Sequence, residues 1–295
     1  MIEIRNQLTI HNKQISIVEW GIMKNTWRLI LSDFETGAWN MALDEAILMT
    51  ASQSSSLPTL RLYGWQPATF SLGFSQPASD VDLERLERAG WGLVRRPTGG
   101  RAILHVDELT YAVITAQNLP LLSGSLLDSY RIISSALLAS MVNLGIAAVS
   151  EKIYERDAPA KTLNPVCFEM PSNYEITANN RKLIGSAQAR KHGGILQHGS
   201  LPITGDISRI TNVLIYESEE ARRMAALKVI TRATTLETEF KAPLDWATVS
   251  EAVIKGFQES FDISLVPGQS TQEEMDLAAE LVESKYGNPD WTFRM

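Results

Sequence analysis

From residue 27 to residue 115 short strand-like runs of apolar and polar positions alternate with helical stretches. Trp27 to Leu31, Thr59 to Tyr63, Thr69 to Leu72, Leu93 to Arg96 and Leu109 to Thr115 are rich in β-branched and aromatic residues and read as strands. The helices between them lack the regular spacing of a doubly wound parallel sheet. Asn40 to Thr50 (NMALDEAILMT) predicts a helix, with Met41, Ile47 and Leu48 among its apolar positions, and a second, capped by Asp80, is expected through Leu83 and Leu86. The clearest helix runs from Leu126 to Leu144, where Leu126, Tyr130, Ile133, Leu137 and Met141 recur at steps of four and three. Ser125 with Asp128 resembles a capping box at its start, and Gly145 stands where a helix stop is expected.

Asn173 to Thr177 and Lys182 to Gln188 flank Asn179-Asn180, a pair that tolerates the left-handed backbone of a tight hairpin. If that turn has two residues, Lys182 pairs with Thr177. Towards the C-terminus the pattern becomes helical, with Thr248-x-x-Glu251 and Thr271-x-x-Glu274 as start signals. These elements predict an α+β fold: a mixed, largely antiparallel sheet with helices packed on it and a helical C-terminal tail. Three segments are expected: a weakly patterned N-terminal extension over 1–22, a main domain over 23–245, and a small helical segment over 246–295 packed on it.

Composition narrows the function classes. The chain has 295 residues, 44% of them hydrophobic, enough for a full core. A net charge of -7 argues against a protein devoted to nucleic acid, so any basic patch must be local. The single cysteine, Cys167, excludes an intramolecular disulfide and argues against a cysteine-based zinc site, which suits a reducing cytoplasm. The first 22 residues lack the apolar core of a signal peptide, and no run of about 18 apolar residues occurs, so a soluble, unexported chain is expected.

Several stretches could carry chemistry, each beside a plainer reading. The run Val94 to Ala102 (VRRPTGGRA) places Arg95, Arg96 and Arg101 around a Pro-Thr-Gly-Gly turn. It is either a solvated hairpin or a loop whose glycines let backbone approach an anionic ligand. Cys167, between two prolines, is either a small buried hydrophobe or a nucleophile, and a nucleophile needs a cation, base or helix N-terminus beside it. Lys182 is the nearest strong candidate partner, its plain reading being a solvated lysine after a hairpin. A straight strand would carry Cys167 roughly 33 Å from the position opposite Lys182, at about 3.3 Å per residue. A Cys167–Lys182 pair therefore requires the chain to fold back near Pro171, where proline interrupts a ladder. His11, His105, His192 and His198 have no third ligand at metal-site spacing, so no metal is expected. The absence of a G-x-x-x-x-G-K-[ST] loop, of G-x-G-x-x-G after a strand and of G-x-S-x-G removes support for P-loop, Rossmann and Ser-His-Asp hydrolase chemistry.

Four blocks in order, RRPTGGRAILHVDELTYAV, CFEMPSNYE, RKLIGSAQ and LQHGSL, resemble the biotin/lipoate protein ligase and lipoyl transferase superfamily, and within it the LipM-type octanoyltransferases. The likeness runs from near Trp27 to the C-terminal WTFRM. It implies the class II synthetase-like fold of that superfamily and an acyl transfer through a thiol, without ATP, metal or other cofactor. Cys167 would take octanoyl from octanoyl-acyl carrier protein as a thioester and pass it to a lysine of a lipoyl domain, such as that of the glycine-cleavage H protein. Lys182 falls on the family's lysine and would stabilise the thiolate or the oxyanion. The resemblance places Arg96, Thr98, Gly99, Gly100, Arg101 and His105 against the substrate from the first block. Gly185, Ser186, Ala187 and Gln188 follow from the third, and His198 and Gly199 from the fourth. Either His105 or His198 could help deprotonate the acceptor lysine, whose ordinary pKa is about 10.4.

Burying six methylenes of an octanoyl chain is worth about 5 kcal/mol gross, at roughly 0.8 per methylene. One methylene more or less changes affinity by only about 1–3 kcal/mol, so some tolerance of chain length follows. Two departures stand out. Many relatives read His-Asp where this chain has His105-Val106, so that aspartate's role is lost or moved to Asp107. ATP-using ligases read Gly-Gly-Gly where this chain has Gly99-Gly100-Arg101, and an arginine there would crowd an adenylate. The alternatives are an ATP-dependent lipoate or octanoate ligase, an amidotransferase between lipoyl domains, and a non-catalytic acyl-binding protein on the same fold.

Overall fold

The computed structural model describes residues 25–53, 56–152 and 173–295. The extension expected over 1–22 and Cys167 itself lie outside the described residues. The strands are β1 (Thr26–Glu35), β2 (Thr59–Trp65), β3 (Thr69–Leu72), β4 (Gly92–Arg95), β5 (Ile103–His105), β6 (Glu108–Ala116), β7 (Val149–Lys152), β8 (Asn173–Ala178), β9 (Arg181–Lys191), β10 (Gly194–Pro202) and β11 (Ser264–Pro267). The α-helices are α1 (Gly37–Thr50), α2 (Leu83–Arg88), α3 (Leu126–Asn143), α4 (Glu219–Arg232), α5 (Leu236–Phe240), α6 (Trp246–Phe261), α7 (Gln272–Leu281) and α8 (Pro289–Thr292).

The large sheet has the order β11-β1-β2-β6-β10-β9-β8-β7, and β4-β3-β5 form a small second sheet. Only β11-β1-β2 and β3-β4 run parallel; the other pairings are antiparallel, which is the mixed, largely antiparallel α+β class expected. The helical tail is present, with β11 added between α6 and α7 as an edge strand beside β1. Asn179 and Asn180 both adopt positive φ, 48° and 60°, and Lys182 lies opposite Thr177 as the two-residue turn requires.

Alternation along the strands divides the large sheet into two buried faces. On one, Leu60, Leu62, Leu109, Tyr111 and Val113 meet α3 and α6 through Ile133, Leu137, Val253 and Phe257. On the other, Tyr63, Trp65, Ala112, Ile114 and Leu196 meet α1, whose Met41, Ala42, Ala46 and Ile47 are buried. The small sheet has its own core, Phe70, Leu72, Val81, Leu86 and Val213 among its members.

Ser125 and Asp128 form the expected capping box of α3, Thr271 and Glu274 that of α7, and Gly145 takes the left-handed conformation (φ 71°) just past α3. Two helix starts differ from expectation. Asp80 closes a 3-10 turn, Ala78–Asp80, and it is Asp82 whose carboxylate accepts from the Arg85 N–H to begin α2. Thr248 lies three residues inside α6, its N–H donating to Asp245 Oδ1 at 2.7 Å, because the ionised Asp245 is the stronger cap.

Candidate active site

The face of the sheet beneath α1 holds an unusual set of polar side chains. Period-two alternation puts Arg61, Tyr63 and Trp65 of β2 on that face, and the register brings Ala112 and Thr110 of β6 opposite Arg61 and Tyr63. Across β6, His198 and Ser200 of β10 pair with the same Ala112 and Thr110. The sheet therefore gathers a guanidinium, two rings, an imidazole and hydroxyls in a small area. Each needs a partner there, since burial makes an unsatisfied polar group costly.

Two buried carboxylates provide them. Asp44, on α1, accepts from Arg61 Nη1 at 2.7 Å and from Tyr63 Oη at 2.9 Å, and its Oδ2 lies 3.1 Å from His198 Nδ1. Burial alone would raise the Asp44 pKa, but Arg61 and His198 outweigh it and hold the carboxyl below the usual aspartate value. Burial pushes His198 below its ordinary value, a shift that Asp44 only partly offsets, so this imidazole is neutral near pH 7. An ionised Asp44 can only accept, which makes Nδ1 the protonated nitrogen and leaves Nε2 to accept from the Thr98 hydroxyl 2.7 Å away.

Glu108, at the start of β6, serves the second histidine. It accepts from Thr110 Oγ1 at 2.5 Å and from Ser200 Oγ, and its Oε1 lies 2.7 Å from His105 Nδ1. His105 Nε2 then meets Ser71 Oγ at 2.8 Å, while Ser71 Oγ accepts from Arg96 Nη1 at 3.1 Å. The imidazole stacks on Trp65 with centroids 3.9 Å apart and planes 13° from parallel. Asp107, the alternative to outright loss of the missing aspartate's role, is turned outward at φ 50° and pairs with Arg209 at 2.6 Å. The β5–β6 turn directs Asp107 away from the sheet face and Glu108 onto it, so it is Glu108 that meets His105. Each histidine is thus held between a carboxylate and a hydroxyl.

The Arg-Arg-Pro-Thr-Gly-Gly loop closes over this face. Arg95 is fully buried and donates to the carbonyls of Gly73 (2.8 Å), Gln76 (2.6 Å) and Thr292 (2.7 Å), tying the loop to the C-terminal segment. Arg96, also buried, donates to the carbonyls of Ser71 (3.1 Å), Gly99 (2.8 Å) and Arg101 (2.7 Å). The Arg95 guanidinium is spent on backbone carbonyls, whereas Arg96, which borders the cleft, divides its donors between carbonyls and the Ser71 hydroxyl. Gly100 takes a φ of 93° that favours glycine, and Gly73 must also be glycine, because a Cβ on Gly73 would lie 1.9 Å from the Gly100 oxygen.

Between loop and sheet lies a cleft of about 400 Å³, part of it open to solvent. Met41, Tyr63, Trp65 and Ile103 give it an apolar lining. Of the residues expected at the substrate, Arg96, Gly100, His105, Gly185, Ser186, Ala187, His198 and Gly199 border it. The others stand back. Thr98 turns its hydroxyl to His198, Gly99 is exposed, Arg101 accepts from Arg96 through its carbonyl, and the Gln188 side chain donates to Gln197 on the opposite side of the hairpin. The close approach at the cleft wall is real: a Cβ on Gly199 would meet the Gly185 oxygen at 2.5 Å and Tyr111 Cε1 at 2.6 Å.

The lipoyl protein ligase A/B catalytic-domain profile matches residues 36–258, which include the loop, both histidines and both carboxylates. The chain belongs to this family. Among similar lipoyl ligase-family proteins, the octanoyltransferase LipM of Kyrpidia tusciae is 40% identical over 91% of this chain and 99% of its own length. The octanoyltransferase LipM of Symbiobacterium thermophilum is 40% identical over 92% of this chain and 100% of its own. The fold is shared with the bipartite lipoate protein ligase of Thermoplasma acidophilum, solved in a study of that ligase and its E2 lipoyl domain (TM-score 0.76, 24% identity, 91% of this chain and 96% of that one).

Within the lipoyl ligase-type domain Lys182 is not a solvated lysine. It is buried on β9, and its ammonium lies 2.5 Å from Glu175 Oε1 of β8. Its carbonyl accepts from Thr234 N–H at 3.0 Å, fixing the strand from the other side. Lys182 does not line the cleft, and Cys167 lies outside the described residues. The partners Asp44, Arg61, Glu108, Glu175 and Ser71 were not anticipated. An arginine inside the otherwise apolar strand TLRLYGW, and acidic residues inside the apolar helix NMALDEAILMT, were the available signals, since a buried charge demands a partner. No group of three or more His, Cys, Asp or Glu side chains among the described residues is arranged to hold a metal. No helix among them is long and apolar enough to cross a membrane.

Proposed function

We propose that the protein is an octanoyl-[acyl carrier protein]:protein N-octanoyltransferase of lipoate biosynthesis, acting in the cytoplasm on lipoyl-domain lysines such as that of the glycine-cleavage H protein. The observation that carries this reading is the 40% identity to LipM octanoyltransferases over nearly the whole of both chains. The apolar lining of the cleft beneath the glycine loop supports it, since it suits a saturated acyl chain.

In this reading the thiolate of Cys167 attacks the donor's thioester carbonyl. A new C–S bond forms, the carrier's C–S bond breaks, and the carrier sulfur leaves as a thiolate that takes up the proton Cys167 gave up on ionising. The unprotonated amine of the acceptor lysine then attacks the octanoyl-Cys167 thioester, forming the amide and returning the Cys167 thiol. Both carbonyls are already activated as thioesters, so ATP has no part. Lys182, held by Glu175, is assigned to the negative charge that develops on sulfur or on the tetrahedral oxygen, with backbone N–H groups of the loop and of β9 and β10 assisting. His105 and His198 are assigned to shaping the cleft and holding Thr98 and Ser71, because each ring already spans two partners.

The test is transfer to an isolated lipoyl domain from octanoyl-acyl carrier protein in buffer free of ATP and magnesium. Octanoylated lipoyl domain is expected. Product that forms only from free octanoate with ATP and magnesium would make the protein a ligase instead.

A further inference from the structure

Outside the cleft, one cluster of charge stands out in a chain whose net charge is -7. Lys191 at the end of β9, Lys285 in the turn after α7 and Arg294 near the C-terminus converge on two aromatic rings. Lys191 Nζ lies 4.6 Å and Arg294 Cζ 3.9 Å from the centroid of Phe74. Arg294 Cζ lies 4.0 Å and Lys285 Nζ 4.4 Å from that of Trp291. The rings themselves meet edge to face at 5.9 Å.

The counter-charge is smaller than the charge. Glu45 pairs with Lys285 at 2.5 Å and also receives Tyr286 Oη and faces His192 Nε2 at 3.2 Å. Among the described residues Arg294 donates only to the Phe74 carbonyl, at 2.6 Å, and the Lys191 ammonium makes no ion pair. Partial burial pushes the Lys191 pKa down, Lys285 and Arg294 push it further, and Glu45 opposes them. Three cations held together in this way are mutually repulsive, and a compact anion with several acceptor oxygens would relieve all three contacts at once.

The location connects the cluster to the cleft. The Phe74 N–H donates to the Thr98 carbonyl at 2.8 Å, and Gly73 packs against Gly100, which lines the cleft. We infer that Lys191, Lys285 and Arg294 form an anion site at the rim of the glycine loop that binds the phosphoester of the acyl donor's pantetheine arm. The inference rests on the octanoyl-carrier reading of the cleft, since it assigns the anion to that donor.

The experiment has two arms. In the first, 4′-phosphopantetheine and pantetheine, which differ only in the phosphate, are titrated into the full chain at low salt. The phosphorylated probe is expected to bind about tenfold more tightly or better, the scale of one charge-assisted contact. That preference should collapse in Lys191→Gln and vanish in Lys191→Glu, both of which change a lysine without side-chain hydrogen bonds to the fold. Equal binding of the two probes, or a preference retained in Lys191→Glu, overturns the inference. In the second arm, octanoyl-coenzyme A and octanoyl-acyl carrier protein are compared as donors to wild type and to Lys191→Gln. Both rates should fall by a similar factor, because both donors carry the phosphoester. A fall confined to the carrier protein would show that the cluster meets an acidic protein surface, and would overturn the inference. If no donor acylates the protein, the octanoyl-transfer reading fails, while the probe titration still decides whether the anion site exists.

Discussion

Replacing Asp44 with asparagine keeps the size of the side chain and removes the charge that Arg61 was built around. Both residues are fully buried, and the carboxylate also holds Tyr63 and His198 at 2.9 and 3.1 Å. Taking one partner from a buried ion pair leaves an uncompensated charge and costs roughly 3–5 kcal/mol. Arg61 would keep the Asn40 and Ser32 oxygens as acceptors, which places the expected loss at the lower end, about 3 kcal/mol. At about 2–4 °C per kcal/mol for a domain of this size, Tm should fall by about 6–12 °C. The assay is thermal and urea unfolding followed by circular dichroism, on Asp44→Asn and on a matched cycle of Asp44→Leu, Arg61→Met and the two together. Since a hydrophobic pair often replaces a buried ion pair at little cost, the double variant should be more stable than the sum of the single losses by about 1.5 kcal/mol or more. A loss below about 1 kcal/mol in Asp44→Asn, or strict additivity in the double variant, would refute the claim that this pair organises the site.

Two further outcomes follow from the same network. Because the folded-state pKa of His198 lies below its unfolded value of about 6.5, the unfolded chain binds more protons as pH drops past that value. Its contribution to stability is therefore full above about pH 6.5 and lost as pH falls through the folded-state pKa, and His198→Gln should flatten that part of a Tm-against-pH curve; an unchanged slope in the variant contradicts the assignment. Arg95→Ala removes the donor shared by the carbonyls of Gly73, Gln76 and Thr292, so stability should drop by about 3 kcal/mol and limited proteolysis should release the C-terminal residues first; equal resistance to wild type contradicts the clamp.

Much of the architecture was legible because it rests on local periodicity. The α3 helix carries an apolar stripe, a capping box and a glycine stop, and the Asn179-Asn180 hairpin is written in two residues that accept left-handed backbone. Helix starts were less legible where two acidic or hydroxyl residues compete within a few positions, as at Asp80 and Asp82 or Asp245 and Thr248. Of the site, the glycine loop and the two histidines could be named from motifs, but what they touch could not. Asp44 and His198 are 154 positions apart, and Thr98 and His198 are 100 apart, so only the sheet register brings them together. Glu108 was missed for the opposite reason: it is three residues from His105, and the choice between it and Asp107 depends on the backbone of a tight turn. The arginines of the loop were ambiguous in a physical way, since charge in a sequence does not say whether it faces a ligand or, as for Arg95, a set of backbone carbonyls.

The central claim is a covalent octanoyl-enzyme, and intact mass tests it directly. The protein incubated with octanoyl-acyl carrier protein, without ATP, should gain the mass of one octanoyl group, and Cys167→Ser should gain none. An adduct that survives Cys167→Ser, or wild type that stays unmodified while still producing octanoylated lipoyl domain, would contradict the account.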